Sequence, residues 1–175
     1  MNSKYTVRRA TEADLPAIKR ILEAGKRKMR ANGNMKQWTG NYPSDEILQN
    51  DLKRGGSHVV LFGPTIVATF VLAIGEDPTY RNIYEGQWLN DILPYGTIHR
   101  IASLEGYRGI GHFVFDWSFK QINNLRVDTH RDNTPMRQLL IKEGFTYCGI
   151  IYLLNGDERL AYQQIKKQLT YEDID

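Results

Sequence analysis

A chain of 175 residues suits one domain able to bury its own core, and 41% hydrophobic with 25% charged residues excludes wholesale disorder. The formal charge of +3 is modest, and its densest cluster, Lys26-Arg27-Lys28 with Arg30, falls late in a helical pattern, where a solvated face explains it better than a nucleic-acid partner. A lone Cys148 excludes an internal disulfide, no Cys/His spacing marks a metal site, and the apolar run Thr65 to Ile74 is too short to cross a bilayer. The opening residues Met1 to Tyr5 lack the apolar stretch of a signal peptide, so a metal-free protein of the cytoplasm, without a membrane partner, is expected.

Tyr5 to Arg9 alternates like a strand, and Thr11-Glu12-Ala13-Asp14 then reads as a capped helix start. Leu15, Ile18, Ile21, Leu22 and Met29 recur at helical spacing until Asn32-Gly33. Ser44-Asp45-Glu46 opens a second helix through Leu52. His58 to Phe62 and Thr65 to Ile74, parted by Gly63-Pro64, form a hairpin. Residues 75–95 make a long connection rich in Asp, Asn, Tyr and Trp, of a length that is often functional.

From Thr97 the pattern changes to alternating strand and helix. Thr97 to Ser103 is a strand, and Gly109 and Gly111 precede a helix carrying Phe113, Val114, Trp117 and Ile122. Leu125 to Thr129 is a strand. Asp132-Asn133 caps a helix that holds Pro135 in its first turn and ends at Gly144. Phe145 to Leu154 and Arg159 to Gln163 complete the order as strands around Asn155-Gly156-Asp157. With no repeat or linker, residues 1–175 read as a single α/β (α+β) domain, a mixed sheet covered by helices.

The chemistry concentrates between residues 99 and 145. A strand runs through Ser103-Leu104-Glu105-Gly106-Tyr107-Arg108-Gly109-Ile110-Gly111 into a helix. Glycines let backbone N–H groups converge, the helix N-terminus adds positive potential, and Arg108 adds a cation, so the loop suits a diphosphate. A tight strand-to-helix turn would look the same.

Here the chain resembles the GNAT superfamily of N-acetyltransferases. That family's pyrophosphate loop has Arg or Gln, a Gly three residues on and a small residue two further. Arg108 and Gly111 match, while Phe113 stands where the small residue is usual. Downstream, Asn133, Met136 and Gly144-Phe145 follow the family's second pattern. The resemblance spans nearly the whole chain and implies a mostly antiparallel sheet of about seven strands with about four helices. Its two central strands, Thr97 to Ser103 and Leu125 to Thr129, would splay apart.

The resemblance implies acetyl-CoA as acyl donor, with no metal, and direct attack on it by a primary amine. The implied donor contacts are the backbone of Ile101, Ala102 and Ser103, the loop Arg108, Gly109, Ile110, Gly111, His112 and Phe113, and the side chains of Asn133 and Met136. Asn133 serves equally well as a helix cap. Many members carry a Tyr seven residues after that Asn as general acid, but this chain has Leu140, which makes Tyr147 a substitute candidate. His99 and His130, at the two splayed strands, are the candidate bases. Arg100 should face away from His99 if strand alternation holds.

On the acceptor side the resemblance points to Trp38, Tyr42, Trp88 and Tyr95 as an aromatic wall for a small-molecule amine, an amino acid or a peptide N-terminus. Glu85 and Asp91 stand near it to select a cation, and the two tryptophans also suit the core edge. Cys148, in an apolar strand, reads as a buried inert thiol. Two other readings remain: an acyl-CoA-binding sensor without chemistry, and a dinucleotide-binding protein, whose third fingerprint glycine is here Val114. A monomer and a homodimer fit the sequence alike.

Overall fold

A computed structural model describes residues 4–167. The opening residues read above for a signal peptide lie, up to Ser3, outside them. Among the described residues seven strands form one sheet: β1 Tyr5–Arg9, β2 Ser57–Phe62, β3 Thr65–Ile74, β4 Gly96–Ser103, β5 Asn124–Thr129, β6 Thr146–Tyr152 and β7 Glu158–Ile165. Four helices accompany it: α1 Leu15–Ala31, α2 Asp45–Lys53, α3 Ile110–Gln121 and α4 Thr134–Lys142. The strand order is β1-β2-β3-β4-β5-β7-β6, and β4–β5 is its parallel pair, the others being antiparallel.

Local chemistry explains the boundaries. Asp14 accepts from the Thr11 backbone N–H at 2.8 Å and closes the turn before α1. Ser44 Oγ accepts from the Ile47 N–H at 3.3 Å at the start of α2. Phe62 pairs with Thr65, so Gly63-Pro64 is a two-residue hairpin loop.

Alternation along the strands divides the apolar residues between two faces. On one, Phe70, Leu72, Ile98, Leu125, Val127, Leu160 and Tyr162 meet Val114 and Phe115 of α3 and Leu140 of α4. The opposite face is covered in two parts. Ile18, Ile21 and Leu22 of α1 and Leu48 of α2 pack with Val59, Trp38 and Ala102. The 75–95 connection lays Tyr80, Trp88 and Tyr95 over Ile151 and Ala161.

The site follows from one discontinuity. β4 pairs with β5 only at Gly96–Leu125 and Thr97–Arg126, after which the two strands run on unpaired to Ser103 and Thr129. The sheet therefore opens between its central strands, and the second face offers a gap between its two coverings.

Candidate active site

Two cavities meet at this opening. The larger, of 790 Å³, is walled by Trp38 and Tyr42, by β4 at His99 and Arg100, by Asp77, and by the β6–β7 turn. The smaller, of 280 Å³, lies between α1, the end of β4, and the N-termini of α3 and α4. Met29, Ile101, Asn133 and Met136 line both, so they mark the junction.

The smaller cavity gathers most of the residues expected to hold a donor: Ile101, Ala102 and Ser103 from β4, Gly109, Ile110 and Gly111 from the loop, and Asn133 with Met136 from α4. Leu104 N donates to Val67 O on the β3 side, and alternation then turns the Ser103 peptide group away from β3, toward the opening. That leaves a polar strand edge for a ligand to pair with. Gly109 caps α3 at φ 75°, with no side-chain cap over the first-turn N–H groups. Gly111 has a different task, since a Cβ there would stand 2.4 Å from Leu139 Cδ2. A side chain there would force Leu139 of α4 to shift.

Three residues expected to contact the donor do not line this cavity. Arg108 is exposed beside the loop, with no side-chain partner among the described residues, while its carbonyl accepts from the Tyr5 hydroxyl at 2.8 Å. His112 turns to Glu143, Nδ1 to Oε2 at 2.8 Å. Phe113 packs on the Tyr5 ring, centroids 5.7 Å apart, because its helical position faces the core. The bulk that replaces the usual small residue is thereby directed inward.

β4 carries the polar groups of the larger cavity through a β-bulge. Thr69 faces Ala102 but Val71 faces His99, so one β3 residue opposes two on β4, and Arg100 takes φ 49°. This corrects the expectation that Arg100 faces away from His99: the extra residue resets the alternation, and both side chains line the same cavity. Arg100 is held by Asp51 of α2, Nε to Oδ2 at 2.8 Å, and donates to the Tyr42 hydroxyl at 3.0 Å. His99 Nε2 lies 3.1 Å from Asp77 Oδ2. Burial alone would raise the Asp77 carboxyl, but hydrogen bonds from His99 and Thr79 outweigh it and hold the group at about 2. Asp77 is thus a fixed anion orienting an imidazole.

Other expected residues separate cleanly. Trp38 and Tyr42 line the larger cavity. Trp88 and Tyr95 do not; the 75–95 connection that carries them turns both rings onto the sheet, where each lies 4.0 Å from the Arg126 guanidinium. Asp91, expected to select a cationic acceptor, spends its carboxylate on that arginine at 2.9 Å, and Glu85 is exposed outside the wall. His130 follows β5, its Nδ1 accepting from Asp132 N at 3.0 Å, and burial and then Arg159 lower its proton affinity. Tyr147 is half-exposed on the edge strand β6, edge-to-face with Tyr162 of β7 at 5.7 Å between centroids. Neither lines a cavity. Cys148 is buried, with its thiol pushed up by burial, and Leu140 is fully buried core.

Asn133 both caps and positions. Its Oδ1 accepts from Met136 N at 3.3 Å and its Nδ2 donates to Gln37 Oε1 at 3.1 Å, tying α4 to the loop after α1. Sequence reading missed the partners Asp77, Asp51 and Gln37 as such. Asp77-Pro78-Thr79 did carry a turn signal, and Thr79 N donates to Asp77 Oδ1 at 2.9 Å, but nothing local points it at a residue 22 positions away.

Solved proteins share this architecture. A GNAT-family acetyltransferase from Streptococcus agalactiae is 30% identical, with 94% of this chain and 96% of that one covered at a TM-score of 0.85. The chain belongs to the GNAT family of acetyltransferases. Two remoter structures share the fold: Arabidopsis thaliana Naa50 in complex with the bisubstrate analogue CoA-Ac-MVNAL, at 12% identity, 95% and 100% coverage and TM-score 0.60, and the Escherichia coli ribosomal-protein-S18-alanine N-acetyltransferase, at 13%, 95% and 97% and 0.59. No protein-family model and no curated protein sequence matches the chain. Its activity is acyl transfer of the GNAT kind, which displaces the dinucleotide-binding reading. Among the described residues no helix is long and apolar enough to cross a membrane.

Proposed function

We propose that this GNAT domain transfers an acetyl group from acetyl-CoA to a primary amine, with the donor in the smaller cavity and the acceptor in the larger. The observation that carries the reading is their junction at Met29, Ile101, Asn133 and Met136, directly under the β4–β5 opening. The donor supplies a thioester carbonyl. The chain's own residues do the rest: the Ser103 edge and the α3 N-terminus offer N–H groups, and Arg108 stands free for a phosphate.

His99 is the proposed base, reaching the amine from the larger cavity directly or through a water. Asp77 fixes its ring and supports the positive charge it gains. With Leu140 buried and Tyr147 on the edge strand, no tyrosine is assigned as acid to the thiolate. A good leaving group of this kind can depart and take its proton from solvent.

Calorimetric titration with acetyl-CoA, run beside NAD and followed by thiol-release assays over a panel of amines, tests the proposal. Saturable acetyl-CoA binding and amine-dependent thiol release are expected. Tight binding with no release for any amine would favour a sensor, and binding of NAD alone would sink the donor assignment.

A further inference from the structure

The larger cavity holds more charge than the transfer of an acetyl group requires, and almost all of it is internally satisfied. Arg100 is paired with Asp51, and His99 with Asp77. Asp128 accepts from the Tyr80 hydroxyl at 2.6 Å; burial and that carboxylate keep the phenol protonated, so it stays a donor. Lys36, Arg54, Glu76 and Asp157 line the rim and are exposed to solvent.

Arg159 is the exception. It is the second residue of β7, lines the cavity, and is only 6% exposed. It makes no ion pair among the described residues, and its one hydrogen bond runs from Nη1 to the neighbouring Glu158 carbonyl at 2.8 Å. The carboxylates in its own hairpin are engaged elsewhere: Glu158 with Arg131 at 2.7 Å, and Asp157 with Asn155 at 3.1 Å. His130, the nearby titratable group just after β5, cannot serve as counterion, because it is neutral or positive and its proton affinity is lowered partly by Arg159 itself.

A buried guanidinium without an anion is costly. Its Nε and Nη2 edge, without a hydrogen-bond partner among the described residues, is the fork that meets a carboxylate with two parallel bonds. β-Strand alternation puts Arg159 on the same sheet face as Ala161, beneath the connection that carries Asp77, so Arg159 and the His99–Asp77 pair look into one space from different walls. We infer that Arg159 is an acceptor-specificity residue, binding the carboxylate of an amine substrate of the amino-acid class.

This rests on the acetyl-transfer reading, and the test keeps the two apart. Initial rates are measured with L-amino acids and their methyl esters. Binding of N-acetyl-L-amino acids and their esters, which needs no turnover, is followed by calorimetry. Free acids should be preferred in both. Arg159→Gln should raise KM for the acids by roughly 10- to 100-fold, leave kcat and acetyl-CoA affinity nearly unchanged, and abolish the preference over esters. Arg159→Lys should restore part of it. Unchanged acetyl-CoA affinity certifies that the variants fold. Equal use of acids and esters by the wild type, equal losses for both in Arg159→Gln, or failure of every N-acetyl amino acid to bind would overturn the assignment. Loss of acetyl-CoA binding by the wild type would instead strike the donor reading, with the N-acetyl amino-acid titration still reporting on Arg159.

Discussion

Two arginines on the same face of the sheet are both buried, and they have opposite surroundings. Arg126 lies between the rings of Trp88 and Tyr95, and donates to Asn90 O and Asp91 Oδ1 at 2.9 Å each. Arg159 lines an open cavity and has a single neighbouring carbonyl. The first is a closed cluster that anchors the 75–95 connection; the second is a charge left for something else. Aromatic residues occur in both regions, Trp88 and Tyr95 against Arg126 and Trp38 and Tyr42 elsewhere in the wall of the cavity that Arg159 lines. An aromatic and charged composition therefore identifies buried surface, and only the accounting of partners distinguishes an anchor from a binding wall.

That contrast can be broken at four places. The largest effect is expected at the cavity: His99→Ala should lower kcat/KM by roughly 10²- to 10⁴-fold at neutral pH and flatten the alkaline-rising limb of the rate profile. An unaltered profile would make His99 structural. In the closed cluster, Arg126→Ala should cost on the order of 3 kcal/mol of stability, read from urea midpoints, while KM values in the surviving fold stay near wild type. A large KM change without loss of stability would move Arg126 into the site.

The smaller effects test the edges. Arg108→Ala should weaken acetyl-CoA binding by roughly tenfold, about 1.4 kcal/mol. An unchanged Kd would remove Arg108 from the donor site. Far from both cavities, Asp14 accepts from both terminal nitrogens of Arg8, at 2.7 and 2.9 Å. The hydrogen bond from Arg8 leads in lowering the carboxyl from 3.8 to about 2. Its folded value lies below its unfolded one, so the stabilisation is present above about pH 4 and is lost as pH falls toward 2. Arg8 is half-exposed and screened, so Asp14→Asn should cost about 1 kcal/mol at neutral pH and almost nothing near pH 2. A difference independent of pH would assign the effect to the turn alone.

Most of the fold was legible because its signals are local. Thr11, Ser44 and Asn133 are caps, Gly63-Pro64 is a turn, and apolar periods of two and near four distinguish strands from helices. The smaller cavity was legible for the same reason, since a strand, a loop and a helix start lie within one run from Ile101 to Gly111. The wall of the larger cavity was half legible: Trp38 and Tyr42 line it, whereas Trp88 and Tyr95 pack on Arg126.

By itself the sequence determined the order of elements, the capped helix starts and the strand–loop–helix run, because each depends on residues a few positions apart. The tertiary structure alone decided that a bulge turns Arg100 to the side of His99, that Asp77 crosses to His99, that Asn133 reaches Gln37, and that Arg159 is buried without a counterion. Those outcomes depend on sheet register and on the packing of the long connection. Both are set by contacts between residues far apart in the chain, where no short pattern can record them.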